Sequence, residues 1–422
     1  MTQVPPLISV DRCRSCGSSD LAEVMAFGPS PIADRLVAPD DSAEEFAAPL
    51  TLVHCNGCAL CQIRETVAPR ILFGPDYPYY SSVSPALQRH FTESAQALIA
   101  RLGLTPRDLV VEAASNDGYM LRVFHAEGIP VLGIDPADGP VAVARERGID
   151  TVHDFFTADR ARALAAEGRR ARLFLANNVL AHVADVNDFT AGIACLLAED
   201  GMAVIEAPYL LDLVDTGAFD TIYHQHLLYL SLTALVPLFA RHGLHLNDAE
   251  RVWIHGGSLR LSVTRAPGRS TRLQALLAAE AARGIGGPEF YRAFTARIAA
   301  MRRETRSAIA RLRAQGAVVA GYGAAAKATT LLHYFGLGRA EIDFIVDRSP
   351  WKHGLAMPLT RIPILPPSAL AERRAEAVLL LAWNFADEII AENAAYLEAG
   401  GRFLVPVPAF REVARTERRS AG

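Results

Sequence analysis

Leu109-Val-Val-Glu112-Ala-Ala-Ser115-Asn116-Asp117-Gly118 is the stretch that decides the fold. An apolar run ends in an acid and passes into a polar turn closed by glycine. The helical pattern Tyr119-Met-Leu-Arg-Val-Phe-His follows at once. Short apolar runs bounded by turn signals read as buried strands. Three more lie downstream: Val131-Leu-Gly-Ile-Asp135-Pro136, Arg172-Leu-Phe-Leu-Ala-Asn177-Asn178 and Met202-Ala-Val-Ile-Glu206-Ala. Strands that alternate with helical stretches predict an α/β architecture with a parallel, doubly wound, Rossmann-like sheet. Such sheets bind ligands at the carboxyl ends of their strands, where all of these polar residues fall.

The first turn is not G-x-G-x-x-G, so it lacks the glycines that let a helix N-terminus approach a pyrophosphate. The acid at the end of the second strand, Asp135, suits a ribose diol. A cofactor with a ribose but no phosphate fits best, and S-adenosylmethionine (SAM) is the obvious one. Glu112 and Asp117 suit its cationic methionine end. The expected donor-binding residues are Glu112, Ser115, Asn116, Asp117, Gly118, Asp135, Asn177 and Asn178. The plainer alternative is that the acids only cap the following helices.

Composition narrows the class. The chain has 422 residues, 51% apolar and 21% charged, with a formal net charge of −4. It can bury more than one core, and its charge argues against a nucleic-acid coat or a basic membrane binder. There is no run of eighteen apolar residues. Met1-Thr-Gln-Val-Pro-Pro lacks the pattern of a signal peptide. The expectation is a cytoplasmic protein with neither a nucleic-acid nor a membrane partner. Lysine is scarce: Lys327 and Lys352 stand against forty arginines.

Near the start, Cys13-Arg-Ser-Cys16 and Cys55-Asn-Gly-Cys58 form two C-x-x-C knuckles. Paired knuckles are the usual way to offer tetrahedral zinc four thiolates. The 38 residues between them must fold as an insertion. Cys61 is a spare, His54 a less favoured ligand and Cys195 a core residue. Redox chemistry or an empty site are the alternatives. A closed four-thiolate site has no open position for catalysis.

Two polar clusters carry chemistry. Asn177-Asn178-Val-Leu-Ala-His182 places a histidine just past a strand end. Phe219-Asp-Thr-Ile-Tyr223-His224-Gln225-His226 packs a tyrosine and two histidines together. Histidine is the natural base near neutral pH, and tyrosine can donate to an enolate oxygen. An H-x-H metal site is the minor reading. Tyr77-Pro-Tyr79-Tyr-Ser81-Ser could cover the pocket, or be a surface turn.

Together these blocks resemble the sugar C-methyltransferases, notably the enzymes that methylate C3′ of nucleotide-linked 4-keto-deoxysugars. The resemblance runs from residue 13 to beyond residue 380. It also takes in His255-Gly-Gly-Ser-Leu259, Gly321-Tyr-Gly323-Ala-Ala-Ala-Lys327 and Leu381-Ala-Trp-Asn384. It implies a zinc-binding domain (1–72), a SAM-binding class I methyltransferase domain (73–243) and a C-terminal nucleotide-sugar-binding α/β domain (244–422). It further implies a monomer acting on a dTDP-linked 4-keto-deoxysugar in deoxysugar and antibiotic biosynthesis. Carried over by position, His226 is the general base and Tyr223 its partner, while His182 and Tyr77 line the same pocket. Two departures stand out. Family members usually have Glu where this chain has Gln225, a neutral isostere counted with the catalytic set. The usual donor-loop glycine is here Ala114, which restricts backbone approach.

The C-terminal half reads as a helical stretch, Thr271 to Leu312, then strand, tight turn and helix start at Ala317–Lys327. A strand ending in Asp347 follows. Alone this resembles an NAD fingerprint, and an NAD-dependent oxidoreductase is the rival of a different class. The family resemblance assigns the loop to the sugar nucleotide, with Tyr79, Ser81, His255, Gly323 and Lys327 as substrate-binding residues. Methylation at C5′, or of another nucleotide sugar, is the nearest rival.

Overall fold

The computed structural model describes residues 6–40, 45–72, 82, 85–254 and 256–414. Tyr77, Tyr79, Ser81 and His255 lie outside the described residues.

A seven-stranded sheet occupies the centre. Its order is His245–Val252, Ser258–Thr264, Leu197–Pro208, Ala171–Asn177, Val110–Ala113, Val131–Asp135, Thr151–His153. The last five are mutually parallel, and Ser258–Thr264 runs antiparallel between the first and third. The chain winds outward from Val110–Ala113, then returns to its other side at Ala171–Asn177. The reversal opens a crevice between these two strands. Both are buried along their length, so near-continuous apolar runs mark them in the sequence.

The boundary expected at 243/244 cuts this sheet. The hairpin of residues 245–264 pairs with Leu197–Pro208 over seven positions, from Met202↔Thr264 to Pro208↔Ser258. Its backbone hydrogen bonds therefore belong to the central unit.

The C-terminal sheet has the order Ile364–Leu365, Phe344–Val346, Val319–Tyr322, Ala377–Leu380, Arg402–Val405, Arg411–Ala414, all parallel except the last. It repeats the central plan, with its reversal between Val319–Tyr322 and Ala377–Leu380. The helical stretch from Thr271 to Leu312 consists of two helices, Thr271–Arg283 and Pro288–Ala314. Gly284 ends the first with φ +66°, a left-handed cap that glycine adopts without a Cβ penalty. Pro288 starts the second, where its missing N–H costs nothing.

The N-terminal unit is an antiparallel sheet of Leu21–Pro31, Ala47–Cys55, Cys61–Ile63 and Leu228–Tyr229. The insertion between the knuckles is its long hairpin. The fourth strand comes from the central segment, directly after the Tyr-His-Gln-His cluster. Cys195 is partly buried and packs against the core. Among the described residues, no helix is long and apolar enough to cross a membrane.

Candidate active site

The four knuckle sulfurs converge. Their Sγ atoms all lie within 4.8 Å of one another, and the Cys13–Cys58 and Cys16–Cys55 pairs are each at 3.5 Å. Zn–S bonds of about 2.3 Å in tetrahedral array need sulfurs about 3.8 Å apart, so the donor set fits zinc. A hydrogen bond from Cys58, helped by the Ser15 and Cys16 amides, pulls the Cys13 thiol down to about 5. His54 turns away and bonds the Gly286 carbonyl at 3.1 Å. Cys61 is fully buried outside the set, and burial raises it to about 12.

The donor turn is built on left-handed backbone. Ala114, Asn116 and Gly118 have φ of +54°, +51° and +72°. Ala114 thus takes up a left-handed conformation that glycine adopts freely, at some cost in strain. Asp135 buckles the turn: Oδ2 accepts from the Asn116 amide and Oδ1 from the Ala137 amide, each at 2.9 Å. Each carboxylate oxygen retains a lone pair for a further donor. Ser115 Oγ lies beneath Gly133, where an added Cβ would come within 2.4 Å of it.

Across the reversal, Asn177 Nδ2 donates to Glu112 Oε1 at 2.9 Å. Glu112 is fully buried, and burial raises its carboxyl to about 8, against the Asn177 hydrogen bond. Asp117 is also buried, held by Arg147 at 3.0 Å and by the Ser82 hydroxyl. Glu112 Oε2, Ser115 Oγ, Asp117 Oδ1 and Asn178 Oδ1 are buried with no hydrogen-bond partner among the described residues. Unpaired buried acceptors are costly unless a ligand satisfies them. Their chemistry matches the ammonium and hydroxyl groups of SAM, so the residues present fit that cofactor.

The second cluster lies close by. The Tyr223 hydroxyl is 3.2 Å from His226 Nε2, and the ring centroids are 4.2 Å apart. His226 Nδ1 is 2.8 Å from the Thr221 carbonyl. A carbonyl only accepts, so Nδ1 carries the proton and neutral His226 keeps its lone pair on Nε2. His182 stacks obliquely on His226 at 4.9 Å and donates from Nδ1 to the Gln225 carbonyl at 2.6 Å. Burial lowers the His182 pKa. His224 points elsewhere, to the Pro49 carbonyl at 3.0 Å, so the H-x-H pair does not share a metal. Among the described residues, only the four cysteines group as candidate metal ligands. The Gln225 side chain is buried, with neither amide atom bonded among the described residues.

The C-terminal loop meets this cluster. Thr330, on helix Ala326–Phe335, donates to the Ile222 carbonyl at 3.1 Å. Gly323 has φ +97°, and a Cβ there would lie 2.6 Å from Ala382 Cβ. Glycine lets the two loops at the reversal touch. Lys327 donates to Asn384 Oδ1 and lies 4.1 Å above the Trp383 ring. A cavity of about 330 Å³ opens beside Trp383, Asn384, Phe385 and Pro408 at the carboxyl ends of this sheet.

Sequence reasoning missed three features. Asp220 accepts the Trp383 indole N–H at 2.6 Å. Lys352 donates to the Ala324 carbonyl at 2.9 Å, so both lysines of the chain reach the Gly-rich loop. Glu206 binds His90 at 2.7 Å and Arg260 at 3.1 Å beside the donor turn. Scarcity flagged Lys352. The other partners are too far apart in sequence to leave a signal.

Sheet order, donor turn and unsatisfied acceptors together define a SAM-dependent methyltransferase carrying a structural zinc site. Family profiles agree: a zinc-binding domain matches residues 13–73, a methyltransferase domain 87–248 and a C-methyltransferase C-terminal domain 253–408. The C-methyltransferase NovU of Streptomyces niveus is 38% identical over 405 residues, covering 94% of this chain and 96% of that protein. The chain belongs to this family of SAM-dependent C-methyltransferases. Among solved structures, a SAM-dependent methyltransferase from Clostridium acetobutylicum matches at 9% identity over 43% of this chain and 92% of that one, with TM-score 0.35. The magnesium protoporphyrin IX methyltransferase of Synechocystis, with bound SAM, matches at 14% over 42% and 79%, with TM-score 0.33.

Proposed function

We propose that this enzyme methylates C3′ of a dTDP-linked 4-keto-deoxysugar through an enolate, in natural-product sugar biosynthesis. The observation that carries the reading is the Tyr223–His226 pair, tied by its far nitrogen to Thr221. Carbon is a poor nucleophile unless it stands beside a carbonyl, and a 4-keto group acidifies the C3 proton.

Tyr223 first turns its O–H to the keto oxygen, which frees the Nε2 lone pair of His226. Nε2 then takes the C3 proton, and the electron pair of the broken C–H bond becomes the enolate, whose oxygen the Tyr223 O–H stabilises, the interaction that matters most in a dry site. The new imidazolium N–H donates to the Tyr223 oxygen, reversing the resting hydrogen bond. His182, held neutral by burial, adds a polar wall without a competing charge. When bound, SAM supplies an electrophilic sulfonium methyl, so the chain's own task is to generate and orient the carbanion. Glu112, Asp117 and Asp135 hold the donor. Gly323 and Lys327 take the nucleotide diphosphate, through loop N–H groups and a cation. Tyr77, Tyr79, Ser81 and His255 complete the substrate pocket by their place in the family pattern. Remote binding energy from the nucleotide positions the sugar.

The test is a pair of measurements on purified enzyme with dTDP-4-keto-deoxysugars. With SAM, the product gains one methyl group, and NMR locates it on C3′. Without methyl transfer, the C3 proton exchanges with solvent deuterium in the wild type and not in His226→Asn. A methyl group on C5′, or C3 exchange that survives loss of His226, overturns the assignment.

A further inference from the structure

Leu381-Ala-Trp383-Asn384 has no task in the enolate chemistry. It follows strand Ala377–Leu380, at the reversal of the C-terminal sheet. The reversal of such a sheet is where ligands bind. Trp383 works in two directions there. Its ring face carries Lys327, whose Nζ stands 4.1 Å from the ring centroid. Its indole N–H donates to Asp220 Oδ2 at 2.6 Å. An indole has that one donor and no acceptor. A phenyl ring would also serve the lysine, so the N–H is what tryptophan adds at this position.

Asp220 is the middle residue of the turn Phe219–Thr221 and is fully buried. The C-terminal unit grips this turn at successive positions. Phe219 stacks on Phe335, with ring centroids 5.2 Å apart and planes inclined by 17°. Asp220 takes the indole N–H. The Ile222 carbonyl, just past the turn, accepts from Thr330 Oγ1 at 3.1 Å. Between these anchors the Thr221 carbonyl points at His226 and meets its Nδ1 at 2.8 Å. That bond fixes the tautomer and the aim of the base. Phe335 and Thr330 lie on helix Ala326–Phe335, which also carries Lys327. Trp383 lies on the loop opposite. The turn is therefore held from both sides of the reversal.

We propose that Trp383 is a positioning residue for proton abstraction: its indole N–H holds Asp220, and with it the Thr221 carbonyl that aims His226, while its ring face carries the lysine that meets the diphosphate. The proposal rests on the reading of His226 as the base and of the Gly-rich loop as the diphosphate site. One side chain then links the two ends of the substrate. A nucleotide held by Lys327 steadies the indole that holds the catalytic turn. A misplacement of about 1 Å can cost about 10²-fold in rate, so the loss of this hydrogen bond is large enough to measure.

The test uses full-length protein with S-adenosylhomocysteine in the donor site and saturating dTDP-4-keto-6-deoxyglucose. NMR follows exchange of the proton beside the keto group with solvent deuterium. Trp383→Phe keeps a ring under Lys327 and removes the N–H. Its exchange rate should fall about 10–10²-fold, while the affinities for dTDP and SAM, by calorimetry, stay close to wild type. Asp220→Leu removes the acceptor and should lose as much. In the double variant the two losses should not add, because both break the same bond. Asp220→Asn keeps an oxygen for the indole and should recover most of the rate that Asp220→Leu loses. Wild-type exchange in Trp383→Phe, or additive losses in the double variant, overturns the proposal alone. Exchange absent from the wild type, or surviving in His226→Asn, overturns the reading of the base and the proposal with it. If Trp383→Phe does not fold, Asp220→Leu against Asp220→Asn decides, and equal exchange in those two overturns the proposal.

Discussion

Tyr223 and His226 face each other across a single hydrogen bond of 3.2 Å, three residues apart on a turn rather than a helix. The histidine of the pair is fixed twice. Thr221 holds the His226 ring, and the Tyr229 hydroxyl bonds the His226 carbonyl at 3.1 Å. A base whose tautomer and orientation are set by the backbone needs no carboxylate to aim it. His226→Asn should lower kcat by about 10²–10⁴-fold, the usual contribution of a general base. SAM binding should be unchanged by calorimetry. Tyr223→Phe should lower kcat by about 10²–10³-fold and preserve C3 exchange in part. Equal loss of donor binding in either variant would show the cluster to be structural.

Glu112 gives the donor site a pH signature. Its carboxyl lies at about 8 in the ligand-free protein, mainly through burial. The folded state therefore holds a proton that the unfolded chain gives up near its ordinary pKa of about 4.3. Stability from that proton is complete below about pH 4 and is lost as pH rises through about 8. The cationic end of SAM should reverse this and expel the proton. Donor affinity should then rise with pH up to about 8, with proton release seen as buffer-dependent enthalpy. Glu112→Gln should abolish that release and weaken SAM by about 1.5–3 kcal/mol. Buffer-independent enthalpy in the wild type would contradict the assignment.

The zinc site should act at a distance. Leu228–Tyr229 is both the fourth strand of the N-terminal sheet and the continuation of the Tyr-His-Gln-His loop. His224 reaches the same sheet through Pro49. A structural zinc contributes about 10–16 kcal/mol in isolated fingers, so Cys58→Ser should unfold the knuckles. Methyl transfer should collapse while SAM binding, which uses none of these strands, persists within a few fold. Methyl transfer undiminished in metal-free protein would disprove the coupling.

Much of this was legible because strand ends carry polar residues in a fixed order. Glu112, Asp135 and Asn177 close three apolar runs, and the structure brings them to one edge. The hairpin 245–264 escaped because His245-Leu-Asn-Asp-Ala-Glu-Arg-Val is too polar to read as sheet. Strand-to-strand hydrogen bonds place it there, and Leu246, Ala249, Leu259, Leu261 and Val263 bury into the core. Asp220 escaped because its indole partner is 163 residues away. Residue type alone does not separate His224 from His226; the family resemblance singles out His226, and the turn at Tyr223 sends the two to different partners.

Gly323 is where two loops of the C-terminal sheet touch. Its Cβ position lies 2.6 Å from Ala382 Cβ and 3.2 Å from the Ala382 amide nitrogen, at φ +97°. Alanine must push the loop before Lys327 away from the loop that carries Trp383 and Asn384. Gly323→Ala should raise KM for the nucleotide sugar at least about tenfold, equivalent to about 1.4 kcal/mol. SAM affinity should not change, because the donor turn belongs to the other sheet. A loss of SAM binding instead would mean that the C-terminal loop contributes to the donor site.

Gln225 holds a trade between stability and binding. Its side chain is buried, and neither Oε1 nor Nε2 has a partner among the described residues. An unsatisfied buried polar group costs about 1–3 kcal/mol. Leucine has a similar volume and no such cost, so Gln225→Leu should raise the melting temperature of the ligand-free enzyme. The His182 bond to the Gln225 backbone carbonyl survives that change, so the catalytic geometry is retained. If the amide is kept to meet the substrate, the same variant should raise KM for the nucleotide sugar about tenfold or more while kcat moves little. Glutamate at this position would carry a charge into the same buried place, and burial would raise its carboxyl pKa. Gln225→Glu should therefore add a new ionisation to the pH profile of kcat/KM that the wild type lacks. A Gln225→Leu enzyme that is more stable and binds substrate unchanged would show the amide to be dispensable.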